Sequence, residues 1–177
     1  MKQYLRYRMD FESKWLRWSA ACVGAAMFLR AFYYLGLQYL TAPGSLFWSL
    51  WLPLGLGLVY TVLLRGIRLN APGVYAILGA LICIYLLIGV FGTGNVLRII
   101  LAVVAYGISG AALILCTGGY LPGRLPAAVC FAVVLAVRIF FFDLGRVSGT
   151  AWLTELADLG FIAALLCLPM GMAPGKK

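Results

Sequence analysis

Four ionisable residues lie inside apolar stretches of this 177-residue chain, and their types could do chemistry. Arg30 and Arg138 could donate hydrogen bonds to a carboxylate or a phosphate. Glu155 and Asp158 are three residues apart, which places both on one face of a helix. A charge in lipid is costly unless it is paired or faces a water-filled cavity. Because the four charges sum to zero, they could form one network or line one binding site.

Helix geometry predicts which of these charges meet. If the last two apolar segments reverse around residues 146 and 147, Arg138 and Glu155 are equally far from the turn and lie at the same depth. Asp158 then lies about one turn deeper, at about 1.5 Å per residue, near the depth expected for Arg30. Two interpretations stay open: a paired network that only fixes helix packing, or a site for a substrate or an ion.

Two tyrosines follow Arg30 and extend the candidate site. Tyr33 and Tyr34 belong either to an aromatic belt at the outer membrane interface or to the polar-tipped wall of a cavity beside the arginines. The chain has no histidine and no phosphate-binding or metalloprotease motif. Its five cysteines fall in apolar runs without a C-x-x-C pair, which is typical of packing residues. We therefore expect no catalytic residue, cofactor or metal, and a protein that is not an enzyme.

The elements that must position these residues follow from composition. Hydrophobic residues make up 64% of the chain and charged residues 11%, against about 25% charged in a typical soluble domain. Proline and glycine separate the apolar stretches, and the connections are short enough to make neighbouring helices antiparallel. The sequence predicts an all-α, polytopic membrane protein, a bundle of six transmembrane helices over residues 18–171. The spans are about 18–40, 44–64, 72–92, 96–117, 125–143 and 149–171.

Both ends of the chain are expected outside the hydrocarbon. Over residues 1–17, charged residues recur every three to four positions opposite an apolar face, which predicts an amphipathic helix lying on the cytoplasmic interface. Residues 172–177 are predicted to be a short cytoplasmic tail.

Net charge tests this topology. The formal charge is +9, from 14 Lys and Arg against 5 Asp and Glu. With the N-terminus inside, only Arg98 and Arg146 flank the outer side, which satisfies the positive-inside rule. The sequence therefore predicts a multi-pass protein of a cell or plasma membrane, with both termini in the cytoplasm. We expect these basic residues to interact with a lipid bilayer and not with nucleic acid. The inner side receives Lys2, Arg6, Arg8, Lys14, Arg17, Arg65, Arg68, Arg124, Lys176 and Lys177.

Small residues four apart on the first span, Ala21 and Ala25, suggest close helix packing. With six spans in a short chain, they resemble the substrate-capture component of energy-coupling-factor vitamin transporters. The resemblance implies that Ala21 and Ala25 dock another membrane subunit. The outer connections here are shorter than those from which that family builds much of its ligand pocket.

Gly107-Ile-Ser109-Gly110 in the fourth span resembles the G-x-S-G nucleophile motif of rhomboid intramembrane proteases. Asp158 stands in the segment similar to the one that carries their catalytic histidine. Without histidine the serine lacks its general base, so the resemblance implies an inactive relative, while ordinary helix packing accounts for the same residues.

The sequence favours a transport-type protein that binds a small polar or anionic solute, or a lipid headgroup, at an outer charged site. The alternative is a structural or regulatory membrane subunit that acts through a partner protein. A cavity that reaches the arginines would favour the first.

Overall fold

The computed structural model describes residues 7–37, 47–91, 96–121, 123–140 and 152–175, and these are mostly helical. The described residues form six helices. The first helix continues into a π-helical turn, Phe32–Leu37, and both ends of the second helix are π-helical around its α-helical centre. The helices are α1 (Lys14–Ala31), α2 (Phe47–Gly66), α3 (Pro72–Phe91), α4 (Val96–Thr117), α5 (Leu125–Phe140) and α6 (Trp152–Met170).

Four of these helices, α2, α3, α4 and α6, are long and apolar enough to cross a membrane. The helix α1 carries three charged residues, and α5 is only 16 residues long. The outward surface of the bundle is rich in large apolar side chains, with Ile100, Val104 and Ile108 of α4 all more than half exposed. A water-soluble protein rarely exposes so much continuous apolar surface. These helices are compatible with an integral membrane protein.

The helices form a closed ring. Each packs against the next in sequence, and α6 returns to pack most extensively against α1. Helix α6 is therefore buried on two faces, between α1 and α5. Gly160 permits its close approach to α1, because a Cβ atom there would lie 3.1 Å from the Cβ of Ala26 and 3.2 Å from the carbonyl oxygen of Cys22.

A buried polar chain joins three helices near the middle of the bundle. The Oγ of Ser19 on α1 donates a hydrogen bond of 2.8 Å to the carbonyl oxygen of Ala164 on α6. Because a serine hydroxyl has one proton, the Tyr60 hydroxyl on α2 must be the donor in its 2.7 Å bond with Ser19. All three polar groups are thereby satisfied in the core.

The prediction of an N-terminal amphipathic helix over residues 1–17 is wrong for residues 7–13, which are not helical. Strand β1 (Tyr7–Met9) pairs antiparallel with β2 (Met172–Pro174) in the segment predicted as a free tail. Helix α1 begins only at Lys14, where the Ser13 side chain accepts a hydrogen bond from the backbone N–H of Trp15. Helical spacing could not reveal this structure, because the partner of β1 lies at the far end of the sequence. Residues 1–6 lie outside the described part.

Side chains from two loops secure this two-stranded sheet. The Asn70 Oδ1 atom accepts a 2.9 Å hydrogen bond from the backbone N–H of Met9. The Arg124 Nη1 atom donates to the carbonyl oxygens of Met170 and Met172 at the end of α6. The first and last described segments thus cover one end of the helix ring.

Candidate functional site

The four charges gather at the other end of the ring, on α1, α5 and α6. Arg30 lies in the last α-helical turn of α1, just before its π-helical turn, and Arg138 lies in the last described turn of α5. Glu155 lies in the first described turn of α6, and Asp158 follows one turn later.

Arg30 is held by three other helices. Its Nη2 atom forms an ion pair and hydrogen bond with Oδ1 of Asp158 on α6. Its Nη1 atom donates a 3.2 Å hydrogen bond to the carbonyl oxygen of Ser49 on α2. Its guanidinium carbon lies 5.1 Å from the centroid of the Tyr85 ring on α3, within the range of a cation–π contact. The Arg30 side chain is only 8% exposed, so it is fixed on several sides.

The Ser49 carbonyl is available to Arg30 because of a proline in α2. Residue 53 would donate the α-helical hydrogen bond to the carbonyl of residue 49, but Pro53 has no N–H group. The π-helical turn Phe47–Trp51 precedes this proline. The sequence thus provides, within a helix, a carbonyl acceptor for the buried arginine.

Arg138 completes the network from α5. One nitrogen, Nη2, lies 2.8 Å from Oε2 of Glu155 in an ion pair and 3.2 Å from Oδ2 of Asp158 in a hydrogen bond. Asp158 therefore bridges the two arginines, with one carboxylate oxygen on each. The Nε atoms of both arginines are buried and have no hydrogen-bond partner among the described residues. Arg138 and Glu155 are more accessible, with side chains 25% and 36% exposed.

A partly open cavity of about 340 Å³ adjoins this network. Its volume lies at the lower end of the range for small-molecule sites, about 300–1,000 Å³. Helices α1, α2, α3, α5 and α6 all contribute to its lining. The polar and aromatic lining residues used below are Arg30, Arg138, Glu155, Asp158, Tyr34, Tyr85, Trp48 and Ser49.

The two predicted tyrosines have different environments. Tyr34 lines the cavity, whereas Tyr33 is buried, is not among the residues lining the cavity, and packs edge-on against the Tyr34 ring with centroids 4.9 Å apart. Tyr33 therefore supports the cavity wall through Tyr34 and does not face the space itself.

Ala21 and Ala25 lie on the outward face of α1 and are exposed. Gly24 between them has no atom within 4 Å of the position that a Cβ would take. The described helices leave that face exposed.

The serine of the G-x-S-G sequence is buried on α4. Both carboxylate oxygens of Asp158 bond to the arginines, so Asp158 is engaged in the charge network. Within the described ranges, no three Cys, Asp, Glu or His residues cluster to hold a metal ion, and each of the five cysteines is free.

Sequence reasoning missed three residues of the site: Ser49, Tyr85 and Trp48. For Ser49 a signal was present, since Pro53 four residues later marks a carbonyl without its α-helical partner. Tyr85 and Trp48 sit in ordinary apolar runs, and nothing in their spacing distinguishes them from core or lipid-facing aromatics.

Comparisons of the chain with protein-family models, with curated proteins and with solved structures found no match.

Proposed function

We propose that the chain is a six-span integral membrane protein, not an enzyme, which binds a small polar or anionic solute or a lipid headgroup as a transport-type component. The observation that carries this proposal is the partly open cavity lined by Arg30, Arg138, Glu155 and Asp158. A network that only held helices together would gain nothing from adjoining space, whereas ionisable groups beside a cavity in a membrane protein mark solute and ion pathways.

The shape of the bundle supports access from one side. The cavity lies at the end of the ring opposite to the β1–β2 sheet, and the region between them is filled by fully buried side chains such as Tyr60, Ile162 and Leu165. A solute that enters the cavity would meet a packed core before reaching the sheet. This arrangement fits a protein that is open at one face.

Charge supports the assignment of the sheet end to the cytoplasm of a cell or plasma membrane. Among described residues outside the charge network, Arg98 is the only basic residue at the cavity end, at the start of α4. The positive-inside rule then places both termini inside and the cavity outside. The basic residues at the sheet end are Arg8, Lys14, Arg17, Arg65, Arg68 and Arg124.

This topology predicts opposite accessibility of two exposed positions. We expect Arg98→Cys to react with a membrane-impermeant maleimide in intact cells, and Arg68→Cys to react only after permeabilisation. The unsubstituted chain, with its five native cysteines, gives the background. Epitope tags at the two termini should both resist external protease. Labelling of Arg68→Cys in intact cells, or digestion of a single tag, would contradict the six-span topology.

Binding can be tested on purified protein. We expect at least one member of a panel of amino acids, vitamins, inorganic phosphate and anionic lipids to raise the unfolding temperature. A ligand at a hundred times its Kd stabilises by about 2.7 kcal/mol, or about 5–10 °C for a chain of this size. Arg138→Gln should reduce the shift, and Arg65→Gln, at the exposed sheet end, should not. The absence of any shift across the panel at millimolar concentrations would count against the proposal.

Two observations favour a second function, that of a structural or regulatory subunit acting through a membrane partner. All four charges are mutually paired, as packing alone would require. The outward face at Ala21, Gly24 and Ala25 would let another helix approach closely. Co-purification of a membrane protein that is lost on Ala21→Leu or Ala25→Leu would favour this function over solute binding.

A further inference from the structure

The four charged side chains divide into a buried pair, Arg30 and Asp158, and a more exposed pair, Arg138 and Glu155. Arg30 uses both terminal nitrogens within the protein, on Asp158 and on the Ser49 carbonyl, and its guanidinium carbon lies 5.1 Å from the centroid of the Tyr85 ring. Asp158 uses both of its oxygens, one on each arginine. Withdrawing Asp158 would leave the buried charge of Arg30 without its carboxylate, and withdrawing Arg30 would leave Asp158 with Arg138 alone. Arg30 and Asp158 therefore have a structural role in the network.

Arg138 and Glu155 are less enclosed by the protein than Arg30 and Asp158. Both carboxylates contact a single nitrogen of Arg138, Nη2, and the Nε atom of the same guanidinium has no hydrogen-bond partner among the described residues. Glu155 forms a 2.8 Å ion pair with Arg138 and is 36% exposed. This pair lines the cavity, and it is the more exposed half of the network.

The net charge of the cavity lining then indicates which class of ligand fits it. The four lining charges sum to zero, so a simple anion that bound Arg138 would weaken its contact with Glu155 and leave that carboxylate without a cation. A zwitterion avoids this cost, because its anionic group can bind Arg138 while its ammonium binds Glu155. Tyr34 and Trp48 also line the cavity, and aromatic residues of this type can attract a cation.

We propose that Arg138 and Glu155 bind a small zwitterion, with its carboxylate or phosphate on Arg138 and its ammonium on Glu155. This inference rests on the proposed function and narrows it to one class of ligand. The same chemistry occurs in free amino acids and in ethanolamine phospholipid headgroups.

The test compares ligands of matched size but different charge. Binding of β-alanine, propionate and propylamine to the detergent-purified full chain is measured by calorimetry and by thermal shift. We expect β-alanine to bind at least tenfold more tightly than either singly charged analogue. Phosphoethanolamine is measured free, and ethanolamine phospholipid is measured in nanodiscs, with choline-free anionic lipid as the control. Binding of phosphoethanolamine identifies a free solute, and binding only of the phospholipid identifies a lipid headgroup; either supports the zwitterion.

A variant separates ligand binding from packing. Glu155→Gln removes the ammonium partner but leaves Arg138 its hydrogen bond to Asp158. We expect this variant to lose at least tenfold in affinity for β-alanine and to bind propionate at least as tightly as β-alanine. A purely structural role for Glu155 would weaken both ligands equally. Arg65→Gln, which lies at the exposed sheet end, is the matched control and should keep the original preference.

The outcomes distinguish this inference from the proposal on which it rests. If propionate binds the unsubstituted protein as tightly as β-alanine, the zwitterion assignment is overturned while solute binding stands. If only members of the wider panel that are not zwitterions bind, the assignment is again overturned. If no ligand of either set binds, both proposals fail.

Discussion

Replacing Asp158 by asparagine is expected to lower the free energy of unfolding by about 3–5 kcal/mol, because it removes one partner of a buried ion pair and leaves the other charged. Among the described residues, Arg30, whose side chain is 8% exposed, would keep the Ser49 carbonyl and the Tyr85 ring. For a chain of this length the change corresponds to a loss of about 6–20 °C in unfolding temperature. Thermal unfolding in detergent, followed by tryptophan fluorescence, measures it.

Two further variants make this result specific. Glu155→Gln exchanges a carboxylate for an amide on the same helix, but its side chain is 36% exposed and Arg138 keeps Asp158, so we expect a loss of about 1 kcal/mol or less. The double variant Arg30→Gln with Asp158→Asn should be more stable than Asp158→Asn alone, since no unpaired charge is left at that position. If Asp158→Asn is too unstable to purify, recovery of yield in the double variant gives the same answer. A single variant as stable as Glu155→Gln would refute a buried bridging role for Asp158.

Gly160→Leu is expected to cost about 3 kcal/mol by forcing α1 and α6 apart. A Cβ at this position already meets the carbonyl oxygen of Cys22 at 3.2 Å and the Cβ of Ala26 at 3.1 Å. These are backbone and short side-chain atoms that cannot rotate away, so the helices must separate, and overpacking of this kind costs about 1–3 kcal/mol or more. Thermal unfolding measures the loss. Because Arg30 and Asp158 lie on the same two helices, β-alanine binding should fall as well.

Gly24→Leu is the matched control. It lies on the outward face of α1, where no atom is within 4 Å of the added Cβ, and we expect its stability to remain within about 0.5 kcal/mol of the unsubstituted protein. Equal stability of the two leucine variants would show that the close approach of α1 and α6 does not hold the ring together.

Much of the fold could be predicted from the sequence because its helices are separated by proline and glycine and are predominantly apolar. The depth of Arg138 relative to Glu155 could also be deduced, since a short turn between antiparallel helices relates residue numbers directly to depth. Their ion pair of 2.8 Å lies at the level that this geometry implies. The spacing of apolar residues and the position of the turn are both local features of the sequence, so the helices and these relative depths can be predicted from it.

What could not be predicted depends on contacts between distant segments. The β1–β2 sheet pairs Met9 with Met172, and a helical pattern near the N-terminus competes with it in any local interpretation. The placement of Tyr85 against Arg30 depends on the rotation of α3 about its axis, which a uniformly apolar helix does not specify. The difference between Tyr34 in the cavity wall and Tyr33 behind it depends on the rotation of the segment Phe32–Leu37 about its helix axis, which its run of aromatic residues does not specify.

The pairing of Arg30 with Asp158 also has a consequence for the order of events during biosynthesis. The two residues are 128 positions apart in the chain. At about 5–20 residues per second, a ribosome adds Asp158 roughly 6–25 s after Arg30. If spans enter the bilayer as they are made, the first span holds an uncompensated guanidinium for that interval. A membrane chaperone, or retention of α1 within the translocation machinery, would therefore have its greatest effect on this chain before α6 emerges.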